Sequence, residues 1–484
     1  MPGRGVTHKV RRLNQLPRPP DTESGHDRTR SAVRLAGARA GQGVSPRKYS
    51  ALTRRDLDSL TQLQSLSREQ RLALKTVSAV LPFRTNRYIV EELIRWDDVP
   101  ADPIYQLTFP QPGMLEKEDF SRVAWLVSRD APEEEIRQEA RAIQLRLNPH
   151  PADQMELNVP ELDGERLQGF QHKYPETVLF FPSQGQTCHA YCTYCFRWAQ
   201  FVGLEDLKFA NQEAEKLVAY LKQHPEVTDV LITGGDPLVM KSALLRRYVE
   251  PLLIPELEHV TSIRIGTKAP AYWPYRFVTD PDADNLLRLF EQVQRAGRHL
   301  GLMAHYTHPR EISTPVSRLA LRRIRNTGAV VRCQAPIVRH VNDDPEVWRQ
   351  LWQEEVRLGA VPYYMFLPRN TGARAYFEIP LARALEIFRA AYRSVSGLGR
   401  TVRGPSMSTS PGKVVIDGTA WIDGEELFVL KFIQARDPEW VGQTFFAKFD
   451  PRATWLDELR PAFGRRAFFY ESGMREMAAG IPAN

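Results

Sequence analysis

The feature that most limits how this chain can fold is an alternation across its centre. Short β-rich runs (177–181, 229–233, 262–266, 300–305, 329–334 and 361–367) are separated by longer amphipathic stretches (211–223, 283–296, 315–326 and 346–358). Strands that alternate with helices predict an α/β fold with a parallel sheet. In such folds the chemistry sits at the C-terminal ends of the strands. Before the alternation, 64–81 carries apolar residues at helical spacing, with Ser67 placed to cap and Glu69 in the first turn. A second helical region covers about 117–147 and breaks at Asn148-Pro-His-Pro-Ala. After the alternation come a helix at 381–395 and hairpin-like strands around 414–430. These changes of texture divide the chain into a tail (1–50), a mainly helical region (51–165), a β/α region (166–375) and an α+β extension (376–484).

Charge locates the tail. The net charge is +7, but residues 1–50 hold 11 Lys and Arg against 3 Asp and Glu, while the remainder holds 54 against 55. The tail is rich in Arg, Gly, Pro and Ser, without hydrophobic periodicity, and reads as disordered. Basicity confined to such a segment gives no reason to expect a nucleic-acid partner. No run approaches the apolar length of a membrane helix, and no apolar stretch follows the basic N-terminus as in a secretory signal. Four cysteines in 484 residues make no disulfide framework. A cytoplasmic protein in a reducing compartment is expected.

Three of those cysteines fall within eight residues, in Thr187–Gln200, TCHAYCTYCFRWAQ. Thiolates of Cys188, Cys192 and Cys195, spaced C-x3-C-x2-C, can ligate three irons of a [4Fe–4S] cubane and leave the fourth open. An open iron is what S-adenosylmethionine needs, since its methionyl amine and carboxylate chelate it before reductive C–S cleavage. Tyr194, before the third cysteine, suits a residue shielding the cluster or packing on adenine. Zinc would need a fourth ligand, Cys333 or His189, and a lone C-x3-C-x2-C is a poor zinc pattern. One β/α unit later come Gly234, Gly235 and Asp236, where a glycine pair admits close backbone approach and a carboxylate can accept from a ligand amine. With this initiator, 166–375 reads as a partial (β/α)6 barrel of the radical S-adenosylmethionine type.

Several segments then occur in a recognisable order: DPIYQ at Asp102, HKYPETVLFF at His172, the cysteine loop, LITGGDPL at Leu231, RIGTKAP at Arg264, HYTHPREI at His305, HVND at His340, PYYMF at Pro362 and SPGK at Ser410. From about residue 57 to 440 the chain resembles the lysine 2,3-aminomutase family of radical S-adenosylmethionine, pyridoxal-phosphate-dependent enzymes. The resemblance implies a [4Fe–4S] cluster, S-adenosylmethionine and pyridoxal 5′-phosphate. It implies an isomerase that moves the α-amino group of a small amino-acid substrate to the β-carbon through a substrate radical. Lys413 matches the lysine that forms the internal aldimine. Lys173 and Tyr174 match the pair that holds the cofactor phosphate, and Gln334 a cofactor-contacting glutamine. His305 matches a histidine near S-adenosylmethionine. Arg197 matches the arginine that pairs with the substrate α-carboxylate, for which a guanidinium fork is well shaped. An electron donor of the flavodoxin or ferredoxin type is implied as a partner; homo-oligomerisation stays open.

The chain also departs from that family. The two aspartates that bind lysine's distal ammonium fall at Arg369 and Ser406, neither acidic. An ammonium buried beside Arg369 would face a like charge without a counter-ion. Glutamate-type relatives carry a basic residue at the first position and an uncharged one at the second, so an acidic substrate is expected, glutamate first. A family zinc cysteine is replaced by Asp344. The rival reading is another radical reaction on the same scaffold, modifying a protein lysine or RNA.

Overall fold

The computed structural model describes residues 44–203 and 209–479; the expected tail lies outside them up to residue 43. Ser67 does open the first long helix, α1 (Arg68–Val80). Its side chain accepts from the Gln70 amide, and the Gln70 side chain accepts from the Ser67 amide in return. The expected helix at 117–147 is two helices, α2 (Lys117–Ser128) and α3 (Glu133–Arg146). They part where Asp130 takes a φ of +50° and Pro132 supplies no N–H. Leu74 and Val77 of α1, Val123 of α2, and Ala140 and Ile143 of α3 are buried in the same core.

Eleven strands form one sheet whose order follows the chain. β1 (Phe170–Tyr174) is antiparallel to β2 (Thr177–Phe180). From β2 the strands run parallel through β3 (Asp229–Ile232), β4 (Ser262–Thr267), β5 (His299–His305), β6 (Val330–Pro336), β7 (Val361–Phe366) and β8 (Arg403–Ser408). β9 (Gly412–Ile422), β10 (Glu425–Ala435) and β11 (Thr444–Lys448) extend it antiparallel. Each parallel step crosses through one long helix: α4 (Ala214–Gln223), α5 (Ser242–Val249), α6 (Ala283–Arg295), α7 (Pro315–Asn326), α8 (Pro345–Arg357) and α9 (Leu381–Arg393), with single-turn helices added at Ala269–Tyr272 and Arg374–Phe377. β8 is a seventh parallel strand that pattern reading misses, because Arg-Gly-Pro-Ser-Met-Ser has no β-branched residue and no clear alternation.

Parallel strands in chain order, joined by crossovers of one hand, put their helices on one face. Consecutive helices α5–α6, α6–α7 and α8–α9 do pack together. β4 alternates accordingly. Ile263 and Ile265 are buried, while Arg264 and Gly266 keep surface toward the other face. Asp344 caps α8 by accepting from the Glu346 amide at 2.8 Å. Among the described residues no helix is long and apolar enough to cross a membrane.

Asn86 joins the N-terminal region to the sheet. Fully buried, it donates to the carbonyls of His189 at 3.1 Å and Tyr272 at 3.0 Å. Asn86→Ala takes the donor from the Tyr272 carbonyl and the acceptor from the Ile89 amide, while the His189 carbonyl keeps the Tyr49 hydroxyl, and a destabilisation of about 3 kcal/mol is expected in denaturant titration.

Candidate functional site

A cavity of about 250 Å3 opens at the C-terminal ends of the parallel strands. Thr233 after β3, Thr267 of β4, His305 of β5, Gln334 of β6, Phe366 of β7 and Ser408 of β8 all reach it. The loop after β2 closes one side with Cys188, Cys192, Tyr194, Cys195 and Arg197, and Gly234, Gly235 and Asp236 close another. Arg369 lines it as well. Residues 200 positions apart thus meet because each follows a strand of one sheet.

The cysteine loop is fastened from outside. Between Cys192 and Cys195, Thr193 donates its amide to the Leu107 carbonyl at 3.0 Å and its hydroxyl to that of Gln106 at 2.7 Å. The Tyr191 amide donates to Arg84. From the sheet side, a Cβ on Gly235 would lie 2.5 Å from the Thr187 backbone, and one on Gly234, at φ +143°, 2.2 Å from the Gln186 side chain. The glycine pair therefore lets two loops interlock. Burial pushes all three thiols up, Cys195 to about 12. Iron binding must then release their protons. Among the described residues no three His, Cys, Asp or Glu side chains are arranged for a single metal ion. A cubane asks for a wider set, each thiolate on a different iron. The alternative zinc ligands do not help: His189 is buried against Tyr49, and Cys333 is buried beside Glu355.

Asp236 differs from the expectation of a free acceptor. Its carboxylate takes the Thr267 hydroxyl at 2.7 Å and the amides of Leu238 and Lys268 at 2.9 and 2.8 Å, so it pins the β3 and β4 ends together. Burial still raises it to about 6. Tyr194 shares a hydrogen bond with Thr307 at 3.0 Å. The Gln334 amide nitrogen lies 2.8 Å from His305 Nε2. Burial, with Lys268 and Arg197 nearby, lowers His305 to about 3, so a neutral imidazole faces the cavity. Lys268, quoted in a motif but given no role there, reaches the same wall. It donates to the His305 carbonyl and pairs with buried Glu311 at 2.7 Å.

Positive charge collects on the opposite wall. Arg197 and Arg369 lie against one ring, 5.0 and 4.6 Å from the Phe196 centroid, and no carboxylate of the described residues pairs with either. Both are enclosed by protein yet keep surface toward the cavity. Burial lowers them to about 9 and about 10. Behind Arg369 stand Lys173 and Tyr174 of β1, Lys413 of β9 and Arg436. Lys173 donates to the Thr409 carbonyl and is lowered by burial, Arg436, Arg369 and Lys413. Burial raises Tyr174 to about 12. Lys413 sits 4.4 Å from the Tyr364 ring centroid, donates to the Gln434 side chain at 2.9 Å, and is lowered to about 7, first by burial. An amine that is half neutral near pH 7 is a nucleophile suited to carbonyl condensation. A buried cation group with so few anions also suits a phosphate. Lys173, Tyr174 and Lys413 adjoin the cavity through Arg369, Phe366 and Ser408 and do not line it. Ser406 is fully buried with its hydroxyl toward the Met365 carbonyl, so the serine that reaches the cavity is Ser408, two residues on.

Two outcomes follow from this geometry. Gly235→Ala forces the loops apart, and iron content after reconstitution should fall well below wild type while circular dichroism is retained. Schiff-base formation between Lys413 and an added aldehyde such as pyridoxal phosphate, trapped by borohydride and read by mass, should slow about tenfold per pH unit below about 7 and level off above it. The sign follows from the attacking form, which is the neutral amine.

No family model matches the chain. Curated proteins do. One from Aquifex aeolicus (strain VF5), described as "Putative L-lysine 2,3-aminomutase", is 32% identical over 400 residues, 82% of this chain and 92% of that protein. The L-lysine 2,3-aminomutase of Clostridium subterminale is 28% identical over 56% of this chain and 62% of its own length. The glutamate 2,3-aminomutase of Clostridioides difficile (strain 630) is 26% identical over 71% and 69%. Among solved structures, a radical SAM methyltransferase from Sphaerobacter thermophilus aligns over 59% of this chain and 92% of that chain at 15% identity, with a TM-score of 0.34, a score that carries no structural argument. With 32% identity over an alignment that spans 82% of its length and 92% of the first of these relatives, this chain belongs to the lysine 2,3-aminomutase family.

Proposed function

We propose that the protein is a radical S-adenosylmethionine, pyridoxal-phosphate-dependent 2,3-aminomutase whose substrate is an acidic α-amino acid, glutamate first. The family is one of isomerases that use a [4Fe–4S] cluster, S-adenosylmethionine and pyridoxal phosphate. The observation that carries the acidic substrate is the pair Arg197 and Arg369, two enclosed guanidiniums against one aromatic ring without a carboxylate partner among the described residues. A dicarboxylate would neutralise both, its α-carboxylate on Arg197 and its side chain on Arg369. A lysine substrate would bring its ammonium to Arg369 uncompensated. Sequence similarity to a glutamate 2,3-aminomutase is consistent with this choice.

In this reading the singly wound sheet is a partial (β/α)6 barrel whose mouth is the cavity. Cys188, Cys192 and Cys195 hold the cluster and leave one iron for S-adenosylmethionine, beside Tyr194, Gly234, Gly235, Asp236 and His305. Lys413 offers the amine for pyridoxal phosphate, Lys173 and Tyr174 stand by its phosphate, and Gln334 by the cofactor. Ser406 shapes the β8 wall from behind Ser408. The bound groups supply the radical and the ring over which nitrogen migrates. The chain's own contribution is to align them, hold the charges, and keep water out.

An anaerobic assay with reductant, S-adenosylmethionine and a panel of amino acids, read as β-amino acids, tests the proposal. Turnover of lysine without glutamate would show the Arg369 argument to be wrong, and modification of protein or RNA alone would favour the rival chemistry. Arg369→Ala should raise KM for glutamate roughly tenfold to a hundredfold, the worth of a charge-assisted hydrogen bond. If pyridoxal phosphate uptake collapses instead, Arg369 serves the phosphate. Cys192→Ala should abolish the iron–sulfur EPR signal.

A further inference from the structure

We propose that Tyr272 is a positioning residue for the cluster: its hydroxyl donates to the Cys192 thiolate and makes the cluster easier to reduce. The inference rests on reading Cys188, Cys192 and Cys195 as cluster ligands, as under the proposed function.

Tyr272 ends the single helical turn Ala269–Tyr272 that follows β4. Its side chain is fully buried, and its hydroxyl lies 3.3 Å from Cys192 Sγ. With a protonated thiol either group can be the donor. A thiolate on iron has no proton to give, so there the phenol must donate and the sulfur accept. That makes it a hydrogen bond to a charged group, formed where burial strengthens it. The cysteines are not served alike. Cys195 receives the Arg197 amide, which no side-chain substitution removes. Cys192 receives a side-chain hydroxyl, which the loss of one oxygen atom removes. Tyr194, the other phenol beside that sulfur, shares its hydroxyl with Thr307 at 3.0 Å.

The phenol is held in place on several sides. The Tyr272 amide donates to the Lys268 carbonyl at 2.9 Å, and its carbonyl accepts from Asn86 at 3.0 Å. Lys268 Nζ sits 4.6 Å from the ring centroid. That ammonium is itself fixed. It donates to the His305 carbonyl at 3.2 Å and the Thr307 hydroxyl at 3.1 Å, and it pairs with buried Glu311 at 2.7 Å. Glu311 in turn accepts the Thr307 and His308 amides. A cation over the ring draws electron density from it and leaves the phenol a stronger donor. In the step this assists, one electron from a low-potential reductant enters the cluster, which passes from the 2+ to the 1+ state. The added negative charge spreads onto the sulfurs, where the O–H dipole stabilises it more than it stabilises the oxidised cluster. No bond breaks and no proton moves.

The test compares wild type, Tyr272→Phe and Tyr275→Phe as reconstituted holoenzymes without S-adenosylmethionine. Tyr275 is the control, a buried tyrosine just beyond the same turn whose hydroxyl donates to Glu92 at 3.2 Å. Anaerobic titration with titanium(III) citrate, read by EPR, should give Tyr272→Phe an equilibrium constant for reduction about tenfold lower than wild type. That is the order of one hydrogen bond to a charged group, and for one electron it is a midpoint about 59 mV more negative. Tyr275→Phe should match wild type, and iron content and circular dichroism should be alike in all three. Resonance Raman adds a signature that packing alone does not produce. The iron–sulfur bands of wild type should shift in deuterium oxide, and that shift should shrink in Tyr272→Phe and persist in Tyr275→Phe. A Tyr272→Phe midpoint equal to or above that of wild type, an undiminished deuterium shift, an equal drop in Tyr275→Phe, or loss of iron from Tyr272→Phe would overturn the proposal. A wild type that holds no iron–sulfur cluster after reconstitution would overturn the cluster reading itself, a distinguishable failure.

Discussion

Uncompensated positive charge at the strand ends is the constraint around which the site is arranged. Arg197, Arg369, Lys173 and Lys413 are enclosed by protein, and each is pushed toward its neutral form by burial first. Enclosing cations without partners is unfavourable, and a fold tolerates it where bound anions complete the site. The same arrangement explains two apparently separate properties. It gives Lys413 a reactive amine, because neighbouring charge and burial disfavour its ammonium. It also makes the region electrostatically receptive to anionic groups.

A second constraint is thinness. The cysteine loop is held between the glycine pair on one side and the Gln106 and Leu107 carbonyls on the other. Held that way, it presents Cys192 and Cys195 to the cavity on one side and to a small void of about 10 Å3, lined mostly by buried residues, on the other. Asp236 belongs to this clamp as much as to any ligand site, since its carboxylate ties the ends of β3 and β4.

Much of this was legible in the residues. The six expected strands and the helices between them occur within a few positions of their observed bounds, because alternation between periods of two and 3.6 is a local property. Ser67 capped α1 as its position foretold. The boundary between α2 and α3 escaped, since it depends on a positive φ at Asp130 within an otherwise helical pattern. β8 escaped because its strand state is imposed by pairing with β7 and β9 and not by its own side chains. Ser406, a substrate position in the sequence reading, is buried, and Ser408 on the same face of β8 lines the cavity; depth in the sheet separates the two and is not written in residue order.

By itself the sequence determined the C-x3-C-x2-C loop, the family resemblance and the presence of an arginine and a serine, not carboxylates, at 369 and 406. These are matters of residue type at fixed spacing along one chain. Tertiary structure alone decided which charges meet. Lys173 on β1 and Lys413 on β9 belong to distant parts of the sheet order, and they come together because the sheet curls until Lys173 donates to Thr409 and Arg436 to Asn158. Electrostatic coupling acts through space, so neither the lowered Lys413 amine nor the two faces of the cysteine loop can be read from positions along the chain.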